Sequence, residues 1–351
     1  MSERLALKVD KRRSNDLIKL LKVMGLLNGD FKVKRVDDFI LVPILRKPTV
    51  EELEVLSRFE PVLQVGVFEP RFKTSSVREA LKGLIPDGLL DSVPSSMDLI
   101  GEVAIVQVQD ELKPFLKAIG EAILKVYPRI KTVLVKSSPI SGVFRVGGYE
   151  VVVGSGVTET FYREHGCVYL VDPVKVYVSP RLSFERLRVA SMVKPGENVL
   201  DMFTGVGCYA ILIAKRVLNC KVYAVDLNPY AIKYLKYNIE RNRVQGRVVP
   251  IEGDASKVVE SGLNGMFDRV IMDNPSNARA FLRAACDALK QTGGVVHYYE
   301  FRPEGDLMDR VLEDFYENVE MFGRSVKSSN VRVVREVAPR IYHVVVDASI
   351  Q

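Results

Sequence analysis

The sequence predicts an α/β fold in which a mostly parallel, doubly wound sheet follows two smaller α+β domains. The first reason is an apolar strand that ends at Asp201 and runs into a turn containing Gly205 and Gly207. The second is that three later apolar strands, Val222–Val225, Val248–Ile251 and Val270–Met272, also end in polar residues. Polar clusters at the carboxyl ends of successive strands are typical of open parallel sheets, which bind ligands at that edge.

The elements of the first predicted domain, residues 1–70, follow from apolar periodicity and from turn residues. Apolar residues at helical spacing predict a helix over Ser14–Leu27, and an apolar run closed by prolines predicts a strand over Phe39–Ile44. Glu51–Phe59 is predicted as a short helix, and Pro61–Pro70 as a connector.

The second predicted domain, residues 71–165, contains both helices and strands, and the third, residues 166–351, contains the polar strand ends. The helices predicted for the second domain are Val77–Ile85 and Lys113–Val126, and its strands are Ile100–Gln107, Thr132–Lys136 and Tyr149–Gly154. In the third domain, the glycine-rich turn leads into a predicted helix at Ala210–Ala214.

The polar strand ends fit a bound nucleoside. Gly205 and Gly207 let the backbone approach a ligand closely, and Asp201 adds a carboxylate at the strand end. Asp226 ends the second strand, where it can accept hydrogen bonds from two ribose hydroxyls. Asp254 follows the third strand and can meet an adenine amino group. The pattern predicts S-adenosylmethionine as the cofactor; a tight turn that binds no ligand is the alternative.

Composition and length bound the class of protein. A chain of 351 residues with 47% hydrophobic residues can build two or three globular domains. Every apolar run is shorter than the ~18 residues that a membrane helix needs. We therefore expect a soluble, cytoplasmic monomer without a membrane partner. The four cysteines are scattered and do not pair with the three histidines at ligand spacing, so neither a metal site nor a disulfide is expected.

The positive charge of the chain is concentrated at its N-terminus. The net charge is +6, and residues 1–35 alone hold ten Lys or Arg against four acidic residues. The remaining residues are therefore neutral overall. A basic N-terminal module on a neutral body suits a polyanionic substrate, and a solvated basic face without a partner is the alternative.

The segment between the second and third predicted domains is more specific. It reads R-E-x-G-C at residues 163–167 and V-Y-x-S-P-R-L-x-x-E-R at residues 176–186, ahead of D-M-F-x-G-V-G at residues 201–207. This order closely resembles the archaeal and eukaryotic tRNA methyltransferases that modify N1 of guanine at tRNA position 37. Three further stretches resemble the same family, so the likeness covers nearly the whole chain: residues 78–83, 96–106 and 338–347.

The resemblance implies a Rossmann-like methyltransferase domain, a middle domain and a basic N-terminal domain, which together bind the anticodon loop and elbow of tRNA. It implies Glu185 as the general base that takes the N1 proton of guanine. It also implies Arg145 as the cation that holds O6. The residues implied to bind S-adenosylmethionine are Tyr177, Arg186, Asp201, Phe203, Gly205, Gly207, Asp226, Leu227, Asp254 and Ala255.

Several of these roles have a structural alternative. Glu185-Arg186 is also compatible with an exposed pair at the start of a helix, Arg145 with an ion pair to Glu150, and Tyr177 with strand packing. His343, in a predicted antiparallel strand, is interpreted as a structural histidine. The family resemblance favours the functional interpretation for Glu185 and Arg145.

Three other functions remain open. The aminocarboxypropyl transferase of the wybutosine pathway has the same fold and cofactor, but it resembles S-S-G-N where this chain has Ser179-Pro-Arg-Leu182. That difference favours methyl transfer. Methylation of carbon 7 of a tricyclic guanosine derivative is the second alternative. A tRNA-binding protein with a decayed catalytic domain is the third, and the intact aspartates and glycines of the predicted cofactor site argue against it.

The residues after the fourth strand depart from the family's usual Asn-x-Pro motif. Aligning on Pro275 places Asp273 where the family has asparagine and puts Asn274 in the middle. We expect Asp273 to orient the target guanine, because a carboxylate can accept hydrogen bonds from both N1–H and the 2-amino group. The alternative is that Asp273 only caps the loop and Asn274 binds the base, so both are candidate catalytic residues.

Overall fold

The structure is a computed structural model that describes residues 2–69, 76–138, 147–306 and 309–351. The chain forms two compact units, Met1–Ala80 and Leu81–Gln351. The three-domain division made from the sequence stays a prediction. Among the described helices, none is long and apolar enough to cross a membrane.

The first unit is a small antiparallel sheet with helices packed on it. Its strands are β1 (Ser2–Asp10), β2 (Lys34–Val36), β3 (Phe39–Pro43) and β4 (Val62–Phe68), in the order β2-β3-β1-β4. Its helices are α1 (Ser14–Val23), α2 (Val50–Leu56) and α3 (Val77–Ala80). Leu17 and Leu21 of α1 pack in one core with Leu7, Val42 and Leu56.

Two predictions for the first unit are wrong. Most of the connector predicted at Pro61–Pro70 is strand β4, because Pro61 precedes the strand and leaves its backbone N–H groups free to pair with β1. The helix predicted to reach Leu27 ends at Val23, and Gly25 follows with a φ of 67°, which stops an α-helix.

The second unit begins with a four-stranded sheet. Its elements are β5 (Asp98–Ile100), β6 (Val103–Val106), α4 (Leu116–Val126), β7 (Thr132–Lys136) and β8 (Tyr149–Gly154). The strand order is β5-β6-β7-β8, and only the pairing of β6 with β7 is parallel. The strands predicted at Thr132–Lys136 and Tyr149–Gly154 are confirmed. The strand predicted at Ile100–Gln107 is two strands, because Gly101 turns the chain with a φ of 57°.

A seven-stranded sheet forms the rest of the second unit, after a hairpin of β9 (Thr160–Glu164) and β10 (Cys167–Val171). Its strands are β11 (Asn198–Asp201), β12 (Lys221–Asp226), β13 (Val248–Glu252), β14 (Arg269–Met272), β15 (Gly294–Pro303), β16 (Val326–Ala338) and β17 (Ile341–Ile350). The helices are α5 (Ser183–Met192), α6 (Cys208–Arg216), α7 (Pro229–Asn242), α8 (Ala255–Val258), α9 (Ala278–Ala288) and α10 (Asp309–Met321).

The strand order of this sheet, β13-β12-β11-β14-β15-β17-β16, confirms the predicted doubly wound α/β fold. The five strands from β13 to β15 are parallel, and β17 runs antiparallel between β15 and β16. One face packs on α5, α6 and α7, and the other on α8, α9 and α10. The chain order reverses between β11 and β14, which opens a crevice at their carboxyl ends.

Candidate active site

A cavity of about 730 Å³ lies at the carboxyl ends of β11, β12, β13 and β14. Its position follows from the reversal of strand order, because loops on either side of the switch point diverge there. The structure brings eight of the predicted site residues to its wall: Tyr177, Phe203, Asp226, Leu227, Asp254, Ala255, Asp273 and Asn274. The sequence pattern therefore located the cavity, although the residues it named do not all reach it.

Asp226 is a fixed hydrogen-bond acceptor in this wall. Its Oδ2 accepts the backbone N–H of Gly205 at 2.7 Å, and its Oδ1 accepts the N–H of Asn228 at 2.9 Å. Burial raises the pKa of the Asp226 carboxyl, and the two backbone hydrogen bonds oppose that shift. A carboxylate oriented in this way, with lone pairs to spare, can accept hydrogen bonds from vicinal hydroxyl groups.

Gly205 and Gly207 shape the turn rather than line the cavity. Both adopt left-handed backbone conformations, with φ values of 56° and 93°. A Cβ on Gly207 would lie 2.5 Å from Leu235 Cδ1 and 2.9 Å from Ile211 Cδ1, so any larger residue requires the ends of these two side chains to shift. A Cβ on Gly205 would lie at an ordinary 3.6 Å from the Tyr177 carbonyl oxygen, so the positive φ rather than a lack of space favours glycine there. The backbone N–H of Gly205 is donated to Asp226.

The wall near Asp254 combines a polar acceptor with aromatic rings. The Oδ1 of Asp254 caps α8 by accepting the N–H groups of Ser256 and Lys257, while among the described residues no donor reaches Oδ2. Phe203 and Phe281 also line the cavity and pack edge to face, with ring centroids 4.9 Å apart. An apolar slot beside a free carboxylate oxygen fits a purine with an exocyclic amino group.

Asp201 does not reach the cavity, contrary to the predicted cofactor contact. It is fully buried behind the glycine-rich turn, and its two oxygens accept no hydrogen bond of ordinary geometry from the described residues. Burial raises its pKa to about 7, with the nearby Thr204 hydroxyl opposing and the charges of Asp273 and Asp226 adding to the shift. The carboxyl group therefore lies beside the Thr204 hydroxyl and the Phe203 backbone, inside the protein.

Arg186 is also absent from the cavity wall, and the reason is a buried ion pair. Its guanidinium donates to both oxygens of Glu164, at 2.7 and 2.6 Å, and to the backbone carbonyl of Ser179 at 3.0 Å. Arg186 and Glu164 are both almost fully buried. This ion pair ties α5 to the β9–β10 hairpin, and the cofactor contact of Arg186 stays a prediction.

Glu185 is buried rather than exposed, so the exposed-pair alternative is wrong. Its carboxylate accepts hydrogen bonds from Arg188 at 2.7 and 2.9 Å and from the Tyr299 hydroxyl at 2.7 Å, and it also pairs with Arg332. Burial opposes ionisation, but these donors and the two positive charges outweigh it and hold the pKa of Glu185 below its ordinary value. Glu185 lies behind the cavity wall, not on it.

A buried network continues from Arg188, and no sequence pattern indicated it. Arg188 donates to Asp347 at 2.6 Å, and Asp347 lies 2.5 Å from Nδ1 of His297. On its other side, His297 Nε2 accepts from Arg269, which pairs with Glu197 at 2.7 Å. The imidazole is therefore neutral with its proton on Nδ1, in keeping with the lowered pKa that its burial causes.

Asp273 and Asn274 both border the cavity where β14 ends, together with His343 of β17. His343 Nε2 lies 3.6 Å from Asp273 Oδ1, and its ring packs between Tyr299 and Phe301. His343 is buried in an antiparallel strand, as predicted, but it is also part of the site. Both assignments of the guanine-orienting residue remain predictions.

Arg145 lies outside the described residues. Arg335 of β16 lines the cavity and was not singled out from the sequence. Its place depends on the pairing of β16 with β17, which brings Arg335 opposite His343. Local sequence patterns carry no signal for that pairing.

Comparison with known protein families identifies each part of the chain. A model of the TRM5/TYW2 methyltransferase domain matches residues 160–327, that of the TYW2 N-terminal domain residues 77–158, and that of the tRNA methyltransferase 5 N-terminal domain residues 6–52. A curated relative, the tRNA (guanine(37)-N(1))-methyltransferase Trm5b of Pyrococcus abyssi, is 39% identical over 98% of both chains. The chain belongs to the TRM5/TYW2 methyltransferase family.

Solved structures of the TRM5/TYW2 family share this fold along its whole length. The crystal structure of Trm5b from Pyrococcus abyssi covers 99% of both chains, with a TM-score of 0.72 and 37% identity. A complex of aTrm5 with tRNALeu covers 99% of this chain and all of the other, with a TM-score of 0.70 and 30% identity.

Another member of the TRM5/TYW2 family matches less of this chain. The tRNA(Phe) (4-demethylwyosine(37)-C(7)) aminocarboxypropyltransferase of Pyrococcus horikoshii is 32% identical over 77% of this chain and 95% of its own.

Proposed function

We propose that this chain transfers the methyl group of S-adenosylmethionine to N1 of guanine at position 37 of tRNA. The observation that carries the proposal is the match to a tRNA (guanine(37)-N(1))-methyltransferase over 98% of both chains, N-terminal unit included. The aminocarboxypropyl transferase relative matches 77% of the chain. The cavity at the carboxyl ends of the strands supports the proposal, because open parallel sheets bind ligands at that edge.

The cavity residues fit S-adenosylmethionine. Asp226, held by Gly205 and Asn228, would accept hydrogen bonds from the ribose hydroxyls. Asp254 and the slot at Phe203 would hold the adenine. Tyr177, Leu227 and Ala255 complete the wall. A similar solved structure, TYW2 of Methanocaldococcus jannaschii, is a complex with AdoMet, at 29% identity and a TM-score of 0.58. When bound, S-adenosylmethionine supplies an activated methyl group, so the residues of the chain must position and deprotonate the guanine.

Glu185 acts as the general base. Its lowered pKa keeps it ionised at neutral pH, and the N1 proton of guanine becomes more acidic as N1 gains the methyl group. The carboxylate oxygens already hold Arg188, Tyr299 and Arg332. Two of these partners are charged. The side chain of Arg332 is 34% exposed to solvent, and that of Arg188 is 19% exposed. We infer that Arg332 leaves Glu185 when the guanine enters, and that the N1–H of the guanine then donates to Glu185 in its place.

Two further groups orient the base. Asp273, at the end of β14, accepts from the 2-amino group, since the N1–H is donated to Glu185, and Arg145 stabilises the charge that develops on O6. The support for Arg145 is the family resemblance of the sequence around it. The support for Asp273 is its place on the cavity wall beside His343.

The substrate is tRNA in solution. We infer that the catalytic unit takes the anticodon loop and that the basic N-terminal unit binds the elbow, because residues 1–35 carry the excess positive charge. We propose that the chain acts as a monomer in the cytoplasm.

The second candidate function is methylation of a tricyclic guanosine derivative. It is supported by the tRNA 4-demethylwyosine(37)-methyltransferase Taw21 of Saccharolobus solfataricus, which is 35% identical over 72% of this chain.

The experiment that tests the proposed function is product analysis on defined RNA. Purified protein is incubated with S-adenosylmethionine and a tRNA transcript that has guanine at position 37, and the nucleosides are separated by mass spectrometry. We expect 1-methylguanosine, and none with a matched transcript that has adenine at position 37. A product on the second transcript, or on the first a methylated base other than 1-methylguanosine, would contradict the proposal.

A further inference from the structure

We propose that Arg335 binds a phosphodiester group of the RNA strand that carries the target guanine. The inference rests on the proposed function and adds a substrate-positioning residue to it. Arg335 stands where the cofactor cavity meets a second cavity of about 450 Å³, since Arg335 and Tyr177 line both. The target base must enter the cofactor cavity, and its backbone must then pass this border.

The second cavity is lined mainly by hydrogen-bond donors and cations. Its wall includes Gln107, Gln109 and Lys136. Asp98 is the one carboxylate among the described residues of that wall, and its charge is already matched by Arg181, whose Nε donates to it at 2.7 Å. Lys136 and Arg335 therefore leave a net positive charge, which fits the backbone of a single-stranded RNA.

Arg335 has no carboxylate within ion-pair distance in the part of the chain that the structure describes. Its Nε is buried and has no hydrogen-bond partner there, and its guanidinium makes no ion pair. The other arginines of the same hairpin differ, because Arg332 pairs with Glu185 and Arg340 pairs with Glu304 at 2.8 Å. A partly buried cation without a partner is costly unless a ligand supplies an anion.

A β-bulge aims Arg335 at the border. Arg332 lies opposite Val345 and Arg335 opposite His343, so Val334 is an extra residue in β16. In a regular strand, residues three positions apart point to opposite faces of the sheet. The extra residue puts Arg332 and Arg335 on the same face, the one that meets Glu185 and the cavity. Bulges are common beside active sites, where they redirect a side chain.

The test compares three full-length variants with the wild-type protein. Arg335→Ala removes the charge, Arg335→Lys keeps it, and Arg340→Ala removes a charge on the same hairpin outside both cavities. Binding of tRNA is measured over a salt series, and binding of S-adenosylmethionine by calorimetry. Each phosphate contact contributes about 0.7–0.9 to the slope of log K against log salt.

We expect Arg335→Ala to lower that slope by about one contact and to weaken tRNA binding roughly 10-fold, with cofactor affinity within about 2-fold of wild type. Arg335→Lys should restore the slope, because a phosphate accepts a point charge. Arg340→Ala should match wild type in every measurement. If Arg335→Ala is poorly folded by its thermal transition, Arg335→Gln replaces it in the same comparison.

Three results would overturn the proposal. Weaker cofactor binding with an unchanged salt slope would assign Arg335 to the carboxylate of the cofactor. Equal loss of tRNA binding in Arg335→Lys and Arg335→Ala, with an unchanged salt slope, would mean that Arg335 binds the edge of the base instead. An alanine variant indistinguishable from Arg340→Ala would leave it without a ligand. The product analysis with wild-type protein is independent of these outcomes, so failure of the proposed function is recognised separately.

Discussion

At the scale of single residues, the sequence located the site but could not reveal the surroundings of its charged groups. The patterns ending in Asp226, Asp254 and Asp273 depend on strand ends, and all three residues meet at one cavity. The burial of Glu185 depends on Tyr299 and Arg332, which lie 114 and 147 residues further along the chain. No local pattern carries that information, so an exposed pair remained a reasonable alternative.

Glu185→Gln should slow single-turnover methyl transfer by ~100-fold or more, because an amide cannot take the N1 proton. Cofactor affinity should stay near the wild-type value, since Glu185 does not line the cavity. The matched control is Glu197→Gln, which also removes a carboxylate paired with an arginine but at the far end of the same network. Equal rates for Glu185→Gln and wild type across neutral pH would remove Glu185 from the chemistry.

Asp273→Ala and Asn274→Leu separate the two assignments of the base-orienting residue. We expect Asp273→Ala to lower transfer by at least ~10-fold through a lost acceptor, and Asn274→Leu to cost much less. Single-turnover rates on the same tRNA transcript decide between them. An inactive Asn274→Leu with an active Asp273→Ala would move the role to Asn274.

Asp201 should make the free energy of unfolding depend on pH. Burial raises its pKa from 3.8 to about 7, so between these values the folded chain holds a proton that the unfolded chain has released. Stability therefore falls as pH rises through this window, by at most about 4 kcal/mol. Asp201→Asn has no carboxyl group to ionise, so its free energy of unfolding should not fall in this window. Measured without cofactor, the thermal midpoint of Asp201→Asn should exceed that of wild type at pH 8 and approach it at pH 5. An equal difference at both pH values would contradict the assigned cause.

At the scale of elements, predictions succeeded where apolar runs were bounded by turn residues. The predicted strands of the parallel sheet are all present, within one residue of β12, β13 and β14. Strand β4 was missed because its flanking prolines were interpreted as part of a connector. Strand β1 carries charged residues along its length and was not predicted, yet it lies at the centre of the first sheet and pairs with both β3 and β4.

Gly207 in the glycine-rich turn and Gly196 in the loop before β11 offer a matched pair of substitutions. Gly207 and Gly196 both have positive φ, at 93° and 85°, but only Gly207 has side chains where a Cβ would lie. Alanine at either position costs roughly 1–3 kcal/mol of backbone strain. Gly207→Ala should cost clearly more, because Leu235 and Ile211 must move, and it should also weaken S-adenosylmethionine binding. Thermal unfolding and calorimetry measure both effects; equal stability losses for the two variants would refute the packing argument.

At the scale of the whole molecule, the N-terminal unit and the catalytic unit differ in charge and in the presence of a cavity. The first carries the excess positive charge in residues 1–35, and the second contains the cavity. Composition predicted a basic N-terminal module, but it could not predict where the first unit ends. The first compact unit runs from Met1 to Ala80, and the predicted division of the chain into three domains stays a prediction.

Charge reversal in the first unit tests its part in tRNA binding. Lys11 and Lys22 are exposed and make no ion pair within the described chain. Lys11→Glu combined with Lys22→Glu should weaken tRNA binding and reduce its salt dependence, because fewer counterions are displaced. Cofactor affinity should be unchanged. An unaltered salt slope in the double variant would mean that this face does not meet the phosphate backbone.

The measurement that tests the central claim most directly is which part of the cofactor reaches the RNA. Wild-type protein is given the guanine-37 transcript and S-adenosylmethionine labelled either on the methyl carbon or on the carboxyl carbon. Transfer to N1 of guanine predicts that the methyl label enters the RNA in stoichiometric amount and that the carboxyl label stays in solution. Carboxyl label in the RNA would show aminocarboxypropyl transfer and contradict the account.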